Sequence, residues 1–173
     1  MRKREKTNNI IKLFLIFFVG CVVGWIYEEL FYLLVDKKLV NSGFMYGPYL
    51  PVYGVGSLCI YLLLNKYKKH PSIIFFGALL ITGIVEYITG YILLAIYNRR
   101  WWDYTGLFME IDGFVCLRSV ISFALGALLL IYIALPLIDG IIKKVTIKKL
   151  NIITISISII MLTDLLITLL IRY

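Results

Sequence analysis

Between residues 72 and 97 the chain reads SIIFFGALLITGIVEYITGYILLAIY, a run in which Glu86 is the only charged side chain. A stretch so long and apolar has few folded fates. As a helix of about 20 residues it crosses a hydrocarbon layer of roughly 30 Å and satisfies its own backbone hydrogen bonds. Comparable runs lie at 10–35 (spanning from about 12), 51–64, 115–138 and 151–171. The run at 51–64 is the least regular, because Pro51, Gly54 and Gly56 crowd its start. Hydrophobic residues make up 61% of the chain, against about 45–50% in a soluble domain. The sequence therefore predicts an all-α, polytopic bundle of about five transmembrane helices. It forms a single integral domain over 1–173, multi-pass in the cell membrane.

The N-terminus, MRKREKTNNIIKLFLIFFVGC, has the basic start and apolar run of a secretory signal. The apolar run continues past Cys21 far enough to span, and no alanine precedes Ala78 to supply a small-residue cleavage site. An uncleaved first helix with a basic tail at 1–11 is the expectation. Orientation follows from Lys and Arg in the short loops. With the N-terminus inside, 12 of the 18 basic residues fall on the cytoplasmic side. These are Arg2, Lys3, Arg4, Lys6, Lys12, Lys66, Lys68, Lys69, Lys143, Lys144, Lys148 and Lys149. The other 6 are Lys37, Lys38, Arg99, Arg100, Arg118 and Arg172. The predicted topology is N-in, C-out. The net charge of +8 then reflects topology and anionic lipid, with no nucleic-acid partner implied.

Ionisable groups inside the runs are costly and usually face a partner or a wet cavity. Helical spacing places Gly20, Gly24 and Glu28 on one stripe, and Gly83, Glu86 and Gly90 on another. Arg118, Ser122 and Gly126 form a third. Small residues permit close helix approach, so Gly20, Gly24, Gly83, Gly90 and Gly126 are expected packing positions. At about 1.5 Å per residue, Glu28 lies roughly 24 Å beyond Lys12 and Glu86 roughly 21 Å beyond Ser72. Both meet the level of Arg118 in the outer half of the bilayer. A polar site there, with Arg118 paired to Glu86 or Glu28, is the leading expectation. A structural ion pair is the plainer alternative. In the last run Asp164, flanked by Thr163 and Thr168, reads as a hydrogen-bonded helix contact or as part of a proton or cation route.

Two loops could cover such a site. NSGFMYGPYLPVYGVG (41–56) has glycines, prolines and Tyr46, Tyr49 and Tyr53. Backbone so broken is tolerated at membrane depth only when buried in protein or lining water, and interrupted helices build transporter binding sites. The second, RRWWDYTGLFMEIDGFVCLR (99–118), places Trp102 and Asp103 near the mouth and doubles as an interfacial aromatic anchor.

GWIYEELF, NSGFMYGPYLPVYGVG, VEYITGY, RWWDY and DGFVCLRSV occur in this order. Together they resemble the family called putative ABC-transporter type IV, or CmpB-like, over residues 14–136. Ser42 stands where a basic residue is expected, and Asp112 where an asparagine is expected. The resemblance implies a multi-pass membrane protein acting as a transporter permease. Read with the charges and loops above, the chain is expected to be a permease or substrate-binding subunit, with Glu28, Glu86, Arg118, Asp103, Trp102, Tyr46 and Tyr53 as candidate binding residues. The chain has no G-x-x-x-x-G-K-[ST] loop. An ATP-binding subunit would be separate, docking on the cytoplasmic loop 139–150, whose Ile/Val–Lys pattern suits an amphipathic surface helix.

Enzyme chemistry finds little footing. His70 is the only histidine and falls in a cytoplasmic loop, away from any outer His-based triad or zinc site. Cys21, Cys59 and Cys116 read as packing residues. No cofactor or metal is expected. A lipid-processing enzyme using Glu28 and Glu86 as acid and base is one alternative. A scaffold assembling through Gly20 and Gly24, including a homo-oligomer, is another.

Overall fold

The structure, a computed structural model, describes residues 2–35, 37 and 42–172. Lys38 and Asn41 lie outside the described residues, as do the side chains of Arg2, Lys3, Arg4, Lys6 and Arg172. Regular structure among the described residues is helical: α1 (Arg2–Val35), α2 (Pro51–Leu64), α3 (Pro71–Tyr97), α4 (Leu117–Leu129), α5 (Leu135–Lys144) and α6 (Ile147–Arg172). An isolated antiparallel bridge joins Ile111 and Val115. The strand-like alternation of Thr154, Ser156 and Ser158 is absorbed into α6.

Local chemistry explains several boundaries. Pro71 opens α3, where its missing N–H costs nothing. Asn98, in the left-handed region, closes α3 with its N–H on the Leu94 carbonyl. Cys116 and Ser119 form a reciprocal capping box at the start of α4. Between α4 and α5 the helix widens into a π turn, Leu130–Ala134. Pro136 accounts for it, since its ring cannot sit against the carbonyl four residues back or donate to it.

Among the described residues, four helices are long and apolar enough to cross a membrane: Thr7–Val35, Pro71–Tyr97, Leu117–Lys144 and Ile147–Ile171. The fifth expected span is not among them. Pro51–Leu64 has 14 residues, about 21 Å of helix, against roughly 30 Å of hydrocarbon. The expected surface helix at 139–150 is also replaced. Its first half ends α5, its second half begins α6, and Val145 and Thr146 alone connect them.

The chain divides into two compact units. The first comprises residues 1–54 and 135–173. Its core holds Cys21, Met45, Tyr49 and Met161, with Phe17, Phe18, Val22, Phe44, Ile157 and Leu165 packed around them. Lys12 pairs with Asp139 at 2.7 Å, tying the start of α1 to α5. The second unit comprises residues 55–134. There α3 buries Ile74, Ala78, Thr82, Glu86 and Gly90 at four-residue steps, and α4 buries Ser119, Ala124 and Ala127.

The buried face of α4 corrects the expected stripe. Arg118 and Gly126 are exposed and Ser122 is half-buried, and a Cβ at Gly126 would meet no atom within 4 Å. The capping box fixes the register: Ser119, which closes it, faces α3, so Arg118 is turned away from that face.

Candidate functional site

Each unit holds carboxylates within its long helices. In the first unit, the chain from Ser42 to Leu50 runs back along α1 without helical structure. Ser42 N–H donates to Glu29 Oε1 at 2.8 Å, and Leu50 N–H donates to the Cys21 carbonyl at 3.0 Å. The segment therefore descends from Glu29 to Cys21, about 12 Å along the helix. Cys21 is midway along Thr7–Val35.

Backbone at that depth has lost its ladder, and every N–H needs a partner. Asp164, from the far end of the sequence, supplies one for two of them. Tyr46 N–H donates to Oδ1 (3.1 Å) and Gly47 N–H to Oδ2 (2.8 Å). The Tyr49 hydroxyl joins Oδ2, and the Thr168 hydroxyl reaches Oδ1 at 3.2 Å. Hydrogen bonds to an ionised carboxylate are among the stronger ones available. Beside this cage, Tyr46, Ile159, Ile160, Thr163, Asp164 and Ile167 line an open groove of about 380 Å³.

The same unit holds Glu28. The Tyr53 hydroxyl donates to its Oε1 at 2.6 Å. Tyr53 reaches that position because its ring packs on Gly24, where a Cβ would lie 2.1 Å from Tyr53 Cγ. Gly54 is equally constrained, with Cys21 Sγ 2.4 Å from the place of its Cβ. Gly24 is thus a close-packing position, against Tyr53 at the start of α2, and Gly20 is buried.

In the second unit, Glu86 is only 4% exposed. Its Oε1 accepts from the Tyr104 hydroxyl at 2.9 Å and its Oε2 from the Ser119 hydroxyl at 2.8 Å. Tyr104 comes from the loop over residues 98–116, which folds as a lid. Tyr104 N–H donates to the Gly113 carbonyl (2.9 Å), Ile111 N–H to the Val115 carbonyl (2.9 Å), and Trp102 Nε1 to the Phe114 carbonyl (2.9 Å). Gly113, at φ +70°, would place a Cβ 2.6 Å from both Arg100 and Asp103. Only glycine fits there.

Gly90 receives the lid: a Cβ there would come within 2.7 Å of Phe114 and 3.1 Å of Trp102. A Cβ at Gly83 would lie 3.4 Å from Val120, an ordinary contact distance, so that position does not demand glycine. Asp112, where the family pattern suggested asparagine, adopts φ +50° and accepts from the Tyr87 hydroxyl at 2.8 Å. Asparagine and aspartate are both enriched in that backbone region.

Asp103 occupies the rim. It is exposed and accepts from the Thr105 hydroxyl (2.6 Å) and N–H (3.0 Å), with Arg100 3.8 Å away. The Thr105 bonds, helped by Arg100, hold its carboxyl below the ordinary value. Arg118 lies on the exposed side of α4 beside Leu107 and Phe108. The structure thus joins Glu28 with Tyr53, Tyr46 with Asp164, and Trp102 with the lid over Glu86. Among the described residues, no group of three or more His, Cys, Asp or Glu could hold a metal ion.

Tyr104, Ser119 and Tyr49 were absent from the sequence-derived set. The Cys116-x-x-Ser119 spacing is a capping signal that could have placed Ser119. Nothing local marks the partnership of Tyr49 and Asp164.

No curated protein and no solved structure matches the chain. A family model described as "Putative ABC-transporter type IV" matches residues 15–169. The match runs past residue 136, where the motif resemblance ends, and takes in Asp164. With nearly its whole length covered, the chain belongs to this ABC-transporter-related family of membrane proteins.

Proposed function

We propose that the chain is a multi-pass permease or substrate-binding subunit of a transporter, N-in and C-out, with a polar site in the outer half of the bilayer. One observation carries the reading: irregular backbone at 42–50 reaches the midpoint of a membrane-length helix and is held there by a carboxylate. Such backbone is costly in lipid and is tolerated where it lines a water-filled or protein-buried path. The loop together with α2 makes one interrupted crossing, which restores an odd number of passes and agrees with the distribution of lysines. Tyr46, Asp164 and Thr163 at the groove, with Glu28 and Tyr53 above, form the polar lining. Glu86 and Trp102 secure the lid. ATP hydrolysis belongs to a separate subunit, for which the exposed lysines at 143, 144, 148 and 149 offer a basic docking corner.

The test is flux. Membrane vesicles containing the chain and a co-expressed ATP-binding subunit are given a metabolite mixture, and movement is followed by mass spectrometry. ATP-dependent movement of a compound is expected, and blockade after thiol modification of Tyr46→Cys in a chain lacking its native cysteines. Identical fluxes with and without the chain reject the proposal.

A further inference from the structure

The lid of the second unit turns apolar side chains outward. Leu107, Phe108, Met109 and Ile111 are all exposed, Phe108 by 76% and Met109 by 64%. Exposed apolar area costs about 25 cal/mol per Å² in water, and a contiguous patch marks contact with an apolar medium or partner. Beside these residues, Leu107, Phe108, Leu117, Arg118 and Ile121 line an open groove of about 340 Å³.

Arg118 contributes a permanent positive charge with planar, bidentate donors suited to a phosphate. It stands one residue inside the end of Leu117–Lys144, at the boundary between hydrocarbon and headgroups. Below it the exposed residues Ile121, Leu125 and Leu129 follow at three- and four-residue steps, a single stripe on α4. From Arg118 to Leu129 the stripe is about 16 Å long. One leaflet is half of roughly 30 Å. Charge, apolar wall and length therefore match one amphiphile.

We infer that this groove binds a phospholipid with an anionic headgroup. Its phosphate sits on Arg118, its glycerol region lies between Leu107 and Phe108, and an acyl chain follows Ile121, Leu125 and Leu129. The site is independent of the transport reading, because it uses the outward face of the lid and of α4.

The experiment is a native mass-spectrometry titration of the full chain, delipidated in neutral detergent, with dioleoyl phosphatidylglycerol and dioleoyl phosphatidylcholine. Phosphatidylglycerol is expected to bind about tenfold more tightly. Arg118→Gln should abolish that preference, while Phe108→Ser should weaken both lipids by about threefold. Arg118→Lys, which keeps the charge but loses the bidentate fork, should retain part of the preference and serves if Arg118→Gln does not fold. Equal binding of the two lipids by the unmodified chain overturns the inference. So does an undiminished preference in Arg118→Gln. Thermal stabilisation by excess inorganic phosphate that depends on Arg118 would indicate a simple anion site and also overturn it.

Discussion

Asp164 and Glu86 are both carboxylates in long apolar helices, yet their partners differ in kind. Asp164 receives two backbone N–H groups and two hydroxyls, whereas the partners seen on Glu86 are the hydroxyls of Ser119 and Tyr104. A backbone N–H can only donate. A hydroxyl can donate or accept. The first cage therefore requires an acceptor on both oxygens, while the second can reverse a bond. One carboxylate holds main chain in a shape that no helix ladder supports, and the other joins a helix to its lid.

That contrast is breakable by isosteric amides. Asp164→Asn must aim its amino group at either Tyr46 N–H or Gly47 N–H, whichever way it is flipped. A destabilisation of about 3 kcal/mol is expected, read as a lowered melting temperature of the purified chain with faster amide exchange at Tyr46 and Gly47. Next in size is Gly24→Ala, whose methyl would overlap Tyr53. Overpacking of this kind costs about 2 kcal/mol, and the Tyr53–Glu28 hydrogen bond should be lost in the amide and hydroxyl spectra. Glu86→Gln should cost only about 1 kcal/mol or less, because Ser119 or Tyr104 can turn to accept. If Glu86→Gln proves as damaging as Asp164→Asn, the distinction between the two cages is wrong.

The smallest effect concerns the rim of the lid. The carboxyl of Asp103 is held below its ordinary value, first by Thr105. A depressed folded value means that the contribution is present above the unfolded value and is lost as pH falls through the folded one. Lowering the pH below about 4 should therefore shift the Thr105 amide resonance, and Asp103→Asn should remove the titration. A Thr105 amide indifferent to pH in the unmodified chain would detach Asp103 from the lid network.

Much of this architecture is legible from residue type alone. Four long helices follow from unbroken apolar runs, and the buried face of α3 takes in Glu86 and Gly90 of the expected stripe, with Thr82 in place of the half-buried Gly83. The path of residues 42–50 is not legible, because it depends on contacts remote in sequence. Leu50 bonds to Cys21, and Tyr46 to a carboxylate 118 positions away. The register of α4 departs from the expected stripe for a different reason. Arg118 draws attention as a charge in an apolar run, but the orientation of the helix is set by its cap at Cys116 and Ser119, which carry no charge. Asp164 was legible as an intramembrane acid, but its role in holding the loop was not, since its partners are main-chain groups without a side-chain signature.

Val145 and Thr146 are all that separates α5 from α6. So short a connector has almost no slack, and α6 is a stiff rod. Asp164 lies about 26 Å along it from Ile147. A displacement of the C-terminal end of α5 would therefore carry α6, and Asp164 with it, as one rigid piece.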